Sequence, residues 1–277
     1  MTQTVARSQQ ILRFSRPPLR PRSQYRSYAN SIKPGVMNSV PKLREPPTKS
    51  MRVLIKEAAE ADQIPNDMGL TPDTIVMPAW SKRPSLFSSP GDRYKLEWRR
   101  LKQRVLDFGG LLYYKFGIAK KSNRPKLALR NTGRIATALH IQMYTAFADG
   151  DVNSLTKICT DGLLSNLRSR IATRKPTERF RWTLHAQLGR PKVMSNRALA
   201  LPLGEGGALR QAVIRIRSRQ SLETLKADGQ AVEGTVEPKD VTEYMVVQRM
   251  MWKGKEEPWM VWGTVEENDW KEVVSRI

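Results

Sequence analysis

Apolar residues follow a helical repeat in the middle of the chain. From Asp92 they recur at steps of three and four residues, which predicts an amphipathic helix with an apolar face made of Tyr94, Trp98, Leu101, Val105, Phe108, Leu112 and Phe116. We expect this face to pack into the core. The pair Gly109-Gly110 predicts a bend or break, because each glycine weakens a helix interior by about 1 kcal/mol.

Two more helices are predicted after this one. The second runs from about Pro125 to Asp149, where Gly150 suits the left-handed closing position and Asp151 suits the cap of the next helix. The third is predicted over 152–173, with an inward face made of Leu155, Ile158, Leu163, Leu164, Leu167 and Ile171.

The repeat changes to two residues after Pro176. Trp182, Leu184, Ala186 and Leu188 alternate with polar residues, which predicts a strand with one wet face. Further strands are predicted over 192–201, 209–220, 231–236, 241–252 and 259–266. Helices followed by strands indicate an α+β fold, with the helices on one face of an antiparallel sheet.

The amino-terminal part differs in composition from the rest. Residues 1–44 carry nine basic side chains and no acidic one, which is typical of a mitochondrial transit peptide. The run Arg26-Ser27-Tyr28-Ala29 resembles a matrix peptidase site, with cleavage before Ala29. The alternative is a basic tail that binds nucleic acid and is never removed.

Prolines dominate the segment that follows. Nine of them lie between Pro34 and Pro90, and each fixes φ and removes a backbone donor, so only 50–63 is predicted to form a short helix. The predicted organisation is therefore a transit peptide at 1–28, a proline-rich basic extension at 29–91 and the α+β domain at 92–277.

Charge and composition restrict the function. The chain has 48 Lys and Arg against 26 Asp and Glu, a formal net charge of +22, which favours polyanionic partners such as RNA or acidic lipid. One cysteine, Cys159, and two histidines, His140 and His185, exclude an internal disulfide and a typical zinc site. No phosphate-binding glycine loop or nucleophile motif is present, so we expect a non-catalytic protein without a cofactor.

Two sets of basic residues are candidates for binding. On strand 209–220, Ala212, Ile214 and Ile216 are expected to face inward, which places Arg215, Arg217 and Arg219 in a row. The RNA or ribosome-binding candidates lie on this strand and around the end of the third helix: Arg168, Arg170, Arg174, Lys175, Arg210, Arg215, Arg217 and Arg219. The alternative for the arginines of the strand is a solvated strand face balanced by the acidic carboxy-terminal part. The alternative to core packing for the first helix is that part of it lies on an anionic membrane or in an RNA groove, and both can hold for different halves. The membrane-facing or RNA-facing candidates lie on and just after this helix: Arg93, Lys95, Arg99, Arg100, Lys102, Arg104, Lys115, Lys120 and Lys121.

Several short motifs resemble a known family. These are the run Tyr144–Asp151, Phe180-Arg181-Trp182 opening a strand, Gly189–Val193 between two strands and Trp259–Gly263 in the closing strand. Together they resemble the carboxy-terminal domain shared by the matrix-side presequence-translocase subunit and the mitochondrial large-subunit ribosomal protein forty-five. The similarity covers about Asp92 to Ile277, and it implies a cystatin-like or nuclear-transport-factor-like cone.

The resemblance also implies a function. The ribosomal branch, with its fungal ribosome-receptor relatives, lies at the polypeptide exit of the mitochondrial ribosome and holds it at the inner membrane. The charged region that precedes this domain in the translocase branch is missing here, so the ribosomal branch is favoured. We therefore expect a matrix protein, peripheral to the inner membrane, that binds the large subunit and acidic lipid; an insertase partner is implied by similarity alone. The alternatives are an import-motor adaptor and a pocket-containing enzyme or ligand carrier.

Overall fold

The computed structural model describes residues 66–119, 121–175, 177–201, 207–226, 232, 237–252 and 255–275, all within one compact unit. The predicted transit peptide and the short helix at 50–63 lie outside the described residues. So do Lys120 and, apart from Val232, the predicted strand at 231–236.

Five α-helices occur in the described part of the chain. They are α1 (Pro90–Tyr113), α2 (Leu129–Asp149), α3 (Val152–Ile158), α4 (Asp161–Ala172) and α5 (Trp270–Ser275). Helix α1 runs through both glycines without a break and continues into a π-helical turn at Tyr114–Ile118. The predicted end of α2 is confirmed, because Gly150 adopts a φ of 74° and the Asp151 carboxylate accepts hydrogen bonds from the backbone N–H groups of Asn153 and Ser154.

The single helix predicted over 152–173 is wrong, because it is divided between α3 and α4. Cys159 is extended and forms a parallel bridge with Val261, and the backbone N–H of Thr160 donates to the Val261 carbonyl at 2.9 Å. Cys159 is fully buried, and burial raises the pKa of its thiol to about 12. The thiol is therefore a core group rather than a nucleophile.

Six antiparallel strands form the sheet in the described part of the chain, and together with the helices they confirm the predicted α+β fold. They are β1 (Arg179–Gln187), β2 (Lys192–Ala200), β3 (Ala208–Leu225), β4 (Lys239–Trp252), β5 (Lys255–Glu256) and β6 (Met260–Val265). The long β3 pairs with β2 along its first half, with β1 along its second half and with β4 on its other side. Register shifts in β1, β2 and β4 mark irregularities that curve such a sheet.

One face of the sheet packs against α2, α3 and α4. Ala212, Ile214 and Ile216 of β3 point towards this layer, as the sequence predicts, and Met245 and Val247 of β4 lie beside them. The helices contribute a continuous apolar surface to the same cluster: Ala136, Leu139, Met143, Phe147, Leu155, Leu163 and Leu167. This layer is the main core of the protein.

The opposite face of the sheet is covered by residues upstream of the predicted domain. Met68, Ile75, Val76 and Met77 are all buried there. Gln211 of β3 fixes this segment, because its amide donates to the Gly69 carbonyl at 2.6 Å and accepts from the Thr71 N–H at 2.8 Å. The folded unit therefore begins before residue 92, and residues 66–91 are part of it rather than of a separate extension.

Helix α1 packs on β2 through its polar side. The buried Asp107 carboxylate accepts hydrogen bonds from Gln103 at 2.7 Å and from Ser195 at 2.8 Å, and it lies 3.0 Å from the Arg197 guanidinium. Burial raises the pKa of Asp107, while Ser195, Arg197 and Gln103 oppose that rise. Leu96 and Leu111 add the buried apolar contacts of the helix.

The two adjacent glycines of α1 have different surroundings. A Cβ on Gly110 would lie 2.9 Å from the Ala198 carbonyl oxygen of β2, whereas a Cβ on Gly109 would have no atom within 4 Å. We predict that Gly110→Ala lowers the free energy of unfolding by about 1–3 kcal/mol because the helix must shift from the strand. Gly109→Ala is the control and should raise it by up to about 1 kcal/mol. Urea unfolding measures both, and equal effects would contradict the close helix–strand contact.

Candidate functional site

The apolar face of α1 points away from the core, so the expectation that it packs inside is wrong. Its side chains form a row that we call the α1 stripe, and each is between 38% and 71% exposed: Tyr94, Trp98, Leu101, Val105, Phe108, Leu112 and Phe116. Leu106 and Tyr113 are also exposed beside this row. A contiguous apolar surface of this kind is unusual on a soluble monomer and marks a binding surface.

Basic side chains border the α1 stripe on both sides. Lys95 and Lys102 are exposed along one border and Arg104 along the other. At the end of the helix, the Lys115 ammonium lies 5.1 Å from the centre of the Phe116 ring, and Lys121 is exposed shortly afterwards. Of the remaining candidates here, Arg99 and Arg100 are half-buried. An apolar row between cations is the side-chain arrangement of helices that lie in a membrane interface.

Arg93 does not belong to this surface, although its charge made it a candidate. Its side chain is buried, lies 3.3 Å from Glu97 and places its guanidinium 4.2 Å from the centre of the Trp80 ring. The contact orients Trp80, which remains 69% exposed just before α1. Leu86 and Phe87, in the turn between them, are exposed as well.

The arginine row predicted on β3 is real only in part. Arg210 is buried, donates to the Leu127 carbonyl at 2.7 Å and to Asn196 at 3.1 Å, and is therefore wrong as an RNA-binding candidate. Arg215, Arg217 and Arg219 lie on the other face of the strand. Arg215 is half-buried, and Arg217 and Arg219 are both exposed. Arg219 forms a bidentate pair with Asp240 at 2.6 and 3.1 Å, so its charge is already matched.

The basic cluster of α4 is also divided between surface and core. Arg168 and Lys175 are exposed, and Lys175 lies 3.3 Å from Glu178. Arg170 and Arg174 are half-buried and lie over the Phe147 ring at 5.3 and 4.4 Å. Burial lowers the pKa of both guanidinium groups. Arg168 and Lys175 can therefore contact a polyanion directly, whereas Arg170 and Arg174 would first have to leave the Phe147 ring.

A buried polar cluster on the helix side of the sheet escaped the sequence analysis. The carboxylate of Glu243 in β4 lies 2.7 Å from His140 Nε2 and accepts a hydrogen bond from the Tyr144 hydroxyl. Burial, and then the charge of Glu243, raise the pKa of Tyr144 well above its ordinary value, so the phenol is a donor at neutral pH. Gln220 joins the cluster and accepts from the Trp182 indole at 3.2 Å. Glu243 shares the alternation of Met245 and Val247, and that signal could have placed it inside.

The described residues show neither a metal site nor a membrane-spanning helix. No group of His, Cys, Asp and Glu side chains in this part of the chain could hold a metal ion. None of the described helices has the length and apolar character needed to cross a membrane.

The comparisons with known proteins identify a family. A model of the MBA1-like protein family matches residues 57–276. No curated protein matches the chain. Among solved structures, the crystal structure of the intermembrane space region of chloroplast protein ARC6 is 16% identical, covers 51% of this chain and 97% of its own, and has a TM-score of 0.31, which is too low to carry an argument. Since the family model spans most of the chain, the protein belongs to the MBA1-like family, a mitochondrial family associated with ribosomes at the membrane.

Proposed function

We propose that this chain is a non-catalytic receptor that holds the large subunit of the mitochondrial ribosome at the inner membrane. The observation that carries the proposal is the outward orientation of the α1 stripe between basic borders. The membership of the MBA1-like family supports the ribosome and the membrane as the two partners. On this proposal the protein lies on the matrix side, peripheral to the inner membrane, after removal of a transit peptide.

The membrane contact is made by α1 lying in the plane of the interface. Its apolar side chains would enter the boundary between headgroups and acyl chains, while Lys95, Lys102 and Arg104 remain at headgroup level. Each cation near an acidic surface contributes about 1 kcal/mol. Burial of the apolar side chains and attraction of the cations to acidic headgroups therefore both favour the membrane-bound state. Together they give a reversible attachment by a helix that does not span the membrane.

The ribosome contact would use exposed cations on other surfaces. Arg168, Lys175 and Arg217 are exposed outside α1. Their phosphate contacts would position the protein on ribosomal RNA without reading a sequence. We also propose contacts with exit-site proteins and with an insertase, and these rest on the similarity to the ribosomal branch alone.

Co-sedimentation tests the ribosomal half of the proposal. We predict that the purified chain pellets with large mitochondrial ribosomal subunits, and that its affinity falls about a thousandfold or more between 50 and 200 mM salt if six to ten phosphates are neutralised. Co-purification with the presequence translocase in gentle detergent, without ribosomal subunits, would instead favour the import-motor adaptor. Salt-independent binding would contradict the electrostatic mechanism.

Substitutions in the α1 stripe test the membrane half. We predict that Leu101→Gln combined with Val105→Gln weakens binding to acidic vesicles at least about tenfold, because two apolar side chains no longer leave water. Both residues are more than half exposed, so the free energy of unfolding should stay nearly unchanged. Leu129→Gln, at an exposed leucine at the start of α2, is the control and should bind normally. Equal vesicle binding by all three proteins would exclude the stripe as the membrane surface.

A substitution in the buried Glu243 cluster tests the proposal that the protein is not an enzyme. A carboxylate beside His140 and Tyr144 is the observation that favours the enzyme alternative. We predict that Glu243→Gln lowers the free energy of unfolding by about 1–3 kcal/mol, since the amide offers one acceptor oxygen where the carboxylate offers two to its neighbours. Binding to vesicles and to ribosomal subunits should be retained by the folded variant. An increase in stability would indicate a site maintained at the expense of the fold, as catalytic groups often are, and would favour the enzyme alternative.

A further inference from the structure

A cationic cleft lies beside α1, on the opposite face of the sheet from the Glu243 cluster. It encloses about 300 Å³ between residues 77–83, α1, β2 and β3. Four cations line it, namely Arg83, Arg100, Lys192 and Arg215. A smaller adjoining cleft shares Arg83, Arg100 and Lys192 and adds Arg104. None of the described residues that line either cleft is acidic.

Positive charge in this cleft exceeds the nearby negative charge. Glu97 is shared by three guanidinium groups, at 2.8 Å from Arg83, 3.1 Å from Arg100 and 3.3 Å from Arg93. A second carboxylate, Glu267, is hydrogen-bonded to the backbone of Ala79 and lies 3.0 Å from Lys82, a cation that does not line the cleft. Burial, followed by the charges of Arg215, Arg100, Arg104 and Arg83, lowers the pKa of Lys192. A bound anion would relieve this repulsion.

We propose that the cleft binds the phosphate of an acidic phospholipid headgroup. Cations from four separate segments converge on one concave site, and guanidinium and ammonium groups are the side chains that bind phosphate oxygens. Apolar side chains complete the wall, among them Met77, Pro78 and Met194. A cationic site with an apolar wall suits a phosphate that continues into a glycerol backbone and acyl chains.

The position of the cleft favours a lipid over RNA, and this step depends on the proposed membrane contact of α1. Arg104 borders the α1 stripe and also lines the smaller cleft. Trp80 lines the larger cleft and is largely exposed, and its ring lies against Arg83 and Arg93. An exposed indole of this kind suits the headgroup region, where one end of the ring is apolar and the other is wet. A helix lying with its apolar side towards the acyl chains would therefore bring the cleft to phosphate level.

Vesicles of matched surface charge test the proposal. The first mixture is phosphatidylglycerol in phosphatidylcholine, where the anionic phosphate carries an uncharged glycerol. The second is phosphatidylserine in phosphatidylcholine, which has the same net charge because its serine adds both an ammonium and a carboxylate to the phosphate. A cleft that binds one phosphate must then also accommodate this bulkier zwitterionic group, whose ammonium the cleft repels. We expect the full chain to bind the first mixture more tightly, and a chain that binds both equally would overturn the cleft assignment. A chain that binds neither would contradict the proposed membrane function itself.

Two double variants separate the cleft from general attraction to negative charge. Arg104→Gln with Lys192→Gln removes two exposed cations of the cleft, whereas Lys95→Gln with Lys102→Gln removes two exposed cations from the far border of the α1 stripe. We expect the first variant to lose about fivefold in affinity per cation on phosphatidylglycerol and to lose its preference for that lipid. The control variant should weaken on both mixtures equally and keep the preference. Retained preference in the cleft variant would overturn the proposal.

Two competitors distinguish the source of the phosphate. Inorganic phosphate at the concentration of accessible lipid should not displace the chain from phosphatidylglycerol vesicles, because it lacks the apolar contacts; displacement would assign the cleft to free phosphate. Ribosomal RNA should bind the cleft variant and the control variant equally well. Selective loss of RNA binding in the cleft variant, with the lipid preference retained, would assign the cleft to RNA and overturn the lipid proposal.

Discussion

The contact between the polar side of α1 and strand β2 determines which side of this helix is exposed on the surface of the protein. Asp107 is held by Gln103, Ser195 and Arg197, and this set of bonds fixes which side of the helix faces inward. Burial alone would favour the reverse orientation, since the α1 stripe is far more apolar than the side that is buried. Breaking the set would leave a buried carboxylate without partners, which costs more than a net hydrogen bond contributes. The exposed stripe is therefore a consequence of polar docking.

The sequence predicted the kind of element well and its orientation poorly. A repeat of three and four residues identifies an amphipathic helix, but it does not say whether the apolar side faces the core or a partner. The partners that decide the question, Ser195 and Arg197, lie almost ninety positions further along the chain. The division of the third helix had the same cause, because Cys159 leaves the helix to bridge Val261. Gly150 and Asp151 correctly predicted a helix end and a helix cap, because the hydrogen bonds involved join residues only a few positions apart.

The alternation of inward and outward residues in β3 and β4 also indicates which charged side chains are buried. Arg210 shares the parity of Ala212 and Ile214, which were correctly expected to face inward, so its burial follows from the same pattern. Glu243 shares the parity of Met245 and Val247 in the same way. For Arg210, charge outweighed strand position in the prediction, whereas Glu243 was not considered. The cleft, in contrast, could not be read from the chain, because its cations come from segments that only the sheet brings together.

The high net charge counteracts the tendency of the exposed α1 stripe to cause self-association. A protein that keeps an apolar surface open for a membrane is exposed to self-association before it arrives. A net charge of +22 opposes contact between copies of the chain and at the same time attracts the anionic surfaces that it must reach. The cations that border the α1 stripe serve both purposes, since they repel a second stripe and approach acidic headgroups. On the proposed function, reducing the charge would therefore weaken membrane binding and solubility together.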